Sequence, residues 1–339
     1  MRDRRTFLAS ASALVGASAV GGCLDGGSAT GTPGRGATSG ATDAEALAFG
    51  GDREVDLWLS PSVPQRNFYV QYGPVRDYLG THIEEEYPVP EGTSVDMNIG
   101  SDYGAVVEAL SEGRADIAET GAFAAALGVA AGAAEVLLQR RGYGSWTYES
   151  IVAVPDDSDV ERLADLAGKT VAFADRLSTS GCLYPLYSMA TTGGLDVGDL
   201  PAGDGSEAAF DARFVGGHVQ SYALLEAGEV DAAAMGGFVR DTATGPAPEA
   251  FADTARTLHE DSGIPHAPLV VAPGLSDDAT DALARSFLNA PERIYDGADG
   301  QAGTDDDLWF DDVREAGVDT YQPVVDVVDE LGVGPGIFE

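Results

Sequence analysis

From Val55 onward, short apolar runs alternate with segments of helical periodicity, and this rhythm leaves few folds open. The runs are VDLWLS (55–60), SVDMNIG (94–100), ADIAET (115–120), AEVLLQ (134–139), ESIVAV (149–154), TVAFA (170–174), ARFVG (212–216), VDAAAMG (230–236) and APLVVA (267–272). Between them lie FYVQYGPVRDYLGTHI, YGAVVEALSEG, FAAALGVAAGA, VQSYALLEAG and DDATDALARSFLNA, with apolar residues three or four apart. Strand–helix alternation predicts an α/β protein whose mostly parallel sheets carry helices on both faces. About 290 residues exceed what one core usually holds, so two lobes are expected.

Small or polar residues follow these strands: Pro61-Ser62, Ser101-Asp102-Tyr103, Gly121, Ser178-Thr179-Ser180-Gly181, Gly217-His218 and Gly237-Phe238. Ligands of open α/β sheets bind outside the carboxyl ends of the strands. Two lobes with facing strand ends make a cleft that a ligand can close like a hinge. In DRLSTSGC (175–182), one hydroxyl is accounted for as a helix N-cap. Three hydroxyls and a glycine exceed that need. Hydroxyl donors and the free N–H groups of a helix start form a neutral cradle for an oxyanion. Pro185 forfeits a backbone donor, so a bend is expected between this opening turn and the helix behind it. His218 stands at a predicted helix start, either as a cap or as a donor to the same anion. Tyr103 and Tyr148 read equally as half-buried aromatics or as its neighbours.

The first residues set the compartment. Arg4 and Arg5 precede Thr6-Phe7-Leu8, a twin-arginine export pattern. The apolar run that follows is short, and Val20-Gly21-Gly22-Cys23 has the form of a lipoprotein processing site. Residues 1–22 therefore read as a signal peptide. Residues 23–50, rich in Gly, Ser, Thr and Ala, read as a flexible tether lipidated at Cys23. The chain is expected at the outer face of the cell membrane, held by lipid alone. Its 56 acids stand against 19 bases, for a net charge of −37, and Lys169 is the only lysine. Such a balance fits a salt-adapted, haloarchaeal protein and argues against nucleic acid or anionic membrane partners. With Cys23 lipidated, Cys182 is alone, which leaves no disulfide framework or two-thiol metal site. His82, His218, His259 and His266 show no metal-ligand spacing, and no metal or cofactor is expected.

The order of segments is itself informative. SDYGAVVEALSEGRADIAETG, YESIVAV, LAGKTVAFADRLSTSG, FVGGHVQSYALLEAGEVDAAA and SGIPHAPLVV together resemble the periplasmic phosphate-, phosphite- and phosphonate-binding proteins of ABC importers, over nearly all of residues 55–290. The resemblance implies a two-lobed type II periplasmic binding-protein fold. Lobe 1 would hold residues 51–153 plus 267–339, and lobe 2 residues 154–266. It implies a phosphorus oxyanion held by Ser178, Thr179 and Ser180, with Tyr103, Tyr148 and His218 completing the shell. It also implies an ABC permease and its ATPase as partners of a monomeric binding protein. Two positions depart from relatives that take aminoalkylphosphonates. Phe238 and Ala267 stand where those have acids, which favours phosphite or a small uncharged phosphonate. Asp241 and Glu119 are the nearby carboxylates that could substitute.

Other classes fit less well. An enzyme would need Cys182 or a serine as nucleophile with His218 as base, and nothing signals a third residue to orient that base. Another oxyanion, phosphate or a sulfonate, is the nearest rival, and a surface signalling lipoprotein is a further one. The acid-rich 296–312 stretch lacks the regular acid spacing of a calcium loop.

Overall fold

A computed structural model describes residues 46–338 except 51–53, 62–64, 243, 245 and 247. Arg4, Arg5, Cys23 and most of the expected tether lie outside the described residues, as does Ser62. The end of that tether is not loose. Leu47 N–H bonds to the Pro88 carbonyl at 2.7 Å, Gly50 N–H to Asp116 Oδ1 at 2.6 Å, and Phe49 packs on the first core. The body therefore begins a few residues before the expected boundary at 50.

The strands are β1 (Glu54–Leu59), β2 (Ser94–Ile99), β3 (Ile117–Glu119), β4 (Glu135–Gly142), β5 (Thr147–Pro155), β6 (Thr170–Phe173), β7 (Asp211–Phe214), β8 (Ala232–Gly236), β9 (Ala255–Pro265), β10 (Pro268–Val271) and β11 (Phe310–Glu315). The helices are α1 (Gln65–Glu86), α2 (Tyr103–Ser111), α3 (Ala122–Ala130), α4 (Tyr184–Thr191), α5 (His218–Glu226), α6 (Phe238–Asp241), α7 (Pro248–Thr254), α8 (Asp277–Leu288) and α9 (Gln322–Leu331). The first sheet runs β11-β4-β10-β3-β1-β2 and the second β7-β6-β8-β5-β9. All nine expected runs carry strands.

The expectation of mostly parallel sheets is corrected. β1 pairs in parallel with β2 and β3, but β10 and β11 run antiparallel to their neighbours. In the second sheet β6 is parallel to β7 and β8, whereas β5 is antiparallel to β8 and β9. Both sheets are mixed because the chain passes between them through connections too short for a crossover helix, at 143–146 and at 266–267. The expected passage at 153 is also corrected. It falls inside β5, which pairs with β9 from Thr147 to Pro155.

Each sheet is covered on both faces, which is why its inner strands are continuously apolar. On β5, Val152 and Val154 pack with Phe173, Cys182 and Leu186, while Ile151 and Ala153 pack with Tyr222, Leu225 and Met235. In the first sheet, Phe68, Tyr72, Val75, Leu79 and Ile83 form one stripe of α1 against Val55, Leu57 and Leu59. Each such side chain, fully buried, contributes about 1.5–3 kcal/mol. These two rigid sheets hold their strand ends toward a common space. Among the described residues no helix is long and apolar enough to cross a membrane.

Candidate functional site

A cavity of about 60 Å³ lies between the two sheets. It has room for about four to six water-sized groups. Tyr103, Tyr148, Ser178, Thr179, Ser180 and His218 all line it, brought there by separate elements.

β6 ends at Phe173, and the chain turns so that Ser178 caps the next helix, its Oγ accepting from Gly181 N–H at 3.1 Å. The capping role expected of one hydroxyl thus belongs to Ser178. Thr179–Leu183 form a wide π-helical turn before α4 starts. The bend expected from Pro185 has a definite form here. Proline cannot donate to the Gly181 carbonyl, and that carbonyl accepts from Ala174 N–H at 3.0 Å instead. Gly181 is confined by packing: a Cβ there would stand 2.5 Å from that of Ala174 and 3.0 Å from His218 Cε1. Thr179 Oγ1 accepts the Phe123 N–H at 2.9 Å, across the gap between the sheets, which leaves its own proton to be donated. Ser150 Oγ holds the Ser180 carbonyl at 2.8 Å.

His218 opens α5 and is 6% exposed. Its Nδ1 accepts the Gly236 N–H at 3.0 Å, so the proton of the neutral ring sits on Nε2, which faces Ser178 Oγ at 3.4 Å. Burial lowers its pKa to about 4. The side chain is therefore a neutral donor at pH 7. Tyr148 stacks on His266 with ring centres 4.6 Å apart. Burial pushes its phenol up to about 12, while hydroxyl contacts with Ser180 and Thr179 pull the other way. Tyr103 is the first residue of α2, behind the Asp102 cap, and its ring presses on Gly121 so closely that a Cβ there would stand 2.9 Å from Cε1.

Sequence reasoning missed the cation. Arg140, at the end of β4, is fully buried and lines the cavity. Its guanidinium pairs with the buried Glu119 carboxylate, donates through Nε to the Ala267 carbonyl at 3.0 Å, and lies over Trp309 at 4.4 Å. Burial lowers its pKa to about 10, which leaves it charged at neutral pH. Glu119 also accepts from Ser60 Oγ and the Tyr72 hydroxyl. Its carboxylate is thereby committed to the wall rather than to the cavity. Asp241 pairs with Arg240 at 2.7 Å, is half exposed, and does not line the cavity. The remaining wall is aromatic. Phe238 meets His218 edge-on at 5.0 Å and stacks with Tyr143 at 5.6 Å. Tyr143 sits in the passage between the sheets at φ 49°, a left-handed conformation costing about 1–2 kcal/mol for a residue with a Cβ. Its hydroxyl meets Thr244 Oγ1 at 2.9 Å.

The lining therefore offers hydroxyl and imidazole donors and one guanidinium, and among its described residues no carboxylate. Such a surface is complementary to a small anion. Cys182 is a buried thiol, raised well above its usual pKa by burial, and no group of three or more metal-ligating side chains occurs among the described residues.

Residues 57–321 match the family described as ABC transporter, phosphonate, periplasmic substrate-binding protein. A curated relative, the phosphate-import protein PhnD of Mycolicibacterium smegmatis, is 35% identical over 158 residues, 44% of this chain and 46% of that protein. This chain thus spans less than half of that relative. Among solved structures, PhnD1 from Prochlorococcus marinus in complex with methylphosphonate superposes with TM-score 0.64 at 17% identity, covering 83% of this chain and 99% of that one. A binding protein component of an ABC phosphonate transporter from Pseudomonas aeruginosa gives TM-score 0.62 at 18% identity, covering 82% and 86%. These two share the fold, the two-lobed type II periplasmic binding-protein architecture.

Proposed function

Because the chain belongs to the periplasmic substrate-binding proteins of phosphonate ABC transporters, we propose that it captures phosphite or a small, uncharged phosphonate and delivers it to a permease. The family is one of transport proteins, not enzymes. In this reading Ser178, Thr179, Ser180, Tyr103, Tyr148 and His218 hold the anion, and Arg140 supplies the positive wall that the hydroxyls lack. The observation that carries it is a cavity of about 60 Å³ lined by donors, a guanidinium and no carboxylate among the described residues. A phosphorus atom with three oxygens and at most one small substituent matches that space. An aminoalkyl tail would lose water and meet Phe238 and Ala267, at a cost of several kcal/mol.

The protein would be exported by the twin-arginine route, lipidated at Cys23, and would work as a monomer in high salt. In that medium the Debye length of about 3 Å at 1 M screens the acidic surface from an approaching anion. Lobe 2, from about residue 147 to 266, would close on lobe 1 around the ligand. Phosphate is the second reading, favoured by the relative named for phosphate import.

Calorimetry of the mature body in concentrated KCl, against phosphite, methylphosphonate, aminoethylphosphonate, phosphate and sulfate, tests the proposal. Phosphite or methylphosphonate should bind tightest. Phosphate first would install the second reading. Sulfate first would remove phosphorus from the function.

A further inference from the structure

Thr120 follows the last residue of β3, lines the cavity, is fully buried, and its Oγ1 has no hydrogen-bond partner within the protein. A buried hydroxyl left unpaired destabilises a fold, and native proteins keep few of them. Valine would fill the same volume without that cost. Its surroundings indicate what completes it. Gly121 and α3 follow, and the first N–H groups of a helix lack intrahelical acceptors. One of these, Phe123 N–H, already reaches Thr179 Oγ1 at 2.9 Å. Thr120 therefore borders the space in front of the Ser178–Ser180 cradle, but from the first sheet. The indole N–H of Trp309 is also unpaired in the cavity wall, yet it neighbours the Tyr72 hydroxyl, which gives it an acceptor close by. No such neighbour accounts for Thr120.

We propose that Thr120 donates its hydroxyl to the bound oxyanion and, alongside Tyr103 and Arg140, lets the first sheet select a ligand presenting acceptor oxygens on both sides. This rests on the proposed oxyanion-binding function. The ligand oxygen is the missing acceptor, and the contact exists only when the cavity is filled.

The test compares Thr120→Val and Thr120→Ser with the unaltered mature body, using methylphosphonate and phosphite as probes, with melting temperature measured without ligand. A hydrogen bond to a charged oxygen predicts that Thr120→Val weakens binding roughly ten- to a hundredfold. Its ligand-free melting temperature should be unchanged or higher, and Thr120→Ser should recover most of the affinity. A loss below about threefold in Thr120→Val overturns the assignment. So does a ligand-free melting temperature that drops with the affinity, because the hydroxyl would then be serving the fold. If the unaltered protein binds neither probe, the oxyanion function itself fails, and this assignment with it.

Discussion

Replacing His218 with asparagine tests the proton assignment in the anion cradle. His218 is 6% exposed, and its Nδ1 accepts the Gly236 N–H at 3.0 Å. Burial holds its pKa at about 4, against an ordinary value of 6.5. Between those values the unfolded chain binds a proton that the folded ring refuses, so folding stability rises with pH across that window. The penalty is absent above pH 6.5 and grows as pH falls toward 4. The gap between those two values amounts to about 3 kcal/mol. Asparagine keeps an acceptor near the Nδ1 position and does not titrate. Urea unfolding in constant KCl should therefore show an acid limb shallower by about 3 kcal/mol in His218→Asn. His266, lowered to about 3 by burial and by the Arg140 charge, supplies a slope common to both proteins. The variant also loses the Nε2 donor, so methylphosphonate affinity should fall roughly tenfold or more, by the same factor at pH 6, 7 and 8. Identical acid limbs would refute the buried neutral ring. So would a wild-type affinity that climbs toward pH 6 beyond the ligand's own protonation, with the climb lost in His218→Asn, because binding would then recruit an imidazolium.

Three further outcomes are expected. Phe238→Asp places a carboxylate on the wall beside His218 and should raise aminoethylphosphonate above methylphosphonate in calorimetric ranking; an unchanged ranking removes Phe238 from selectivity. Arg140→Met strands the buried Glu119 charge and should cost about 3–5 kcal/mol in urea unfolding, with most of it recovered by adding Glu119→Gln; a cost below about 1 kcal/mol contradicts the buried pair. Cys23→Ser should move the protein from the membrane fraction to the medium, and continued membrane retention would refute lipid anchoring.

What the sequence disclosed and what it hid divide along physical lines. Strands covered on both faces, such as 149–154 and 230–236, declare themselves as apolar runs. The small and polar residues after β3, β6, β7 and β8 reach one cavity because the carboxyl ends of parallel strands share a side, whereas antiparallel β5 reaches it through Tyr148 at its start. β9 and β11 went unread because charged residues interrupt their apolar pattern. ARTLHEDSGIP and FDDVRE carry charge along strands with one side unpaired, and that removes the apolar signal. The sheet directions were hidden because strand–helix alternation is silent where the chain crosses in two or four residues. Arg140 was hidden for another reason. Nothing local marks a buried arginine; its partner Glu119 lies on β3, with β10 between the two strands. The same pairing withdraws Glu119 from any ligand ammonium, a distinction invisible in a list of nearby acids.

The order of strands in the first sheet also sets a timetable for synthesis. β10 lies between β4 and β3, yet it is made after the whole second sheet. From the end of β4 to the end of β10 the ribosome adds roughly 130 residues, which at about 5–20 residues per second takes roughly 6–26 s. Through that interval β3 presents one unpaired edge, and β4, whose partners β10 and β11 are both still to come, presents two, the kind that invites pairing with another chain. The second sheet suffers no such delay, since β5 to β9 emerge consecutively. A growing chain would thus complete the sheet behind the hydroxyl cradle first and hold the other open until its last quarter arrives. Chains broken off after β9 ends at Pro265 but before β10 begins at Pro268 would carry a finished half and an aggregation-prone one.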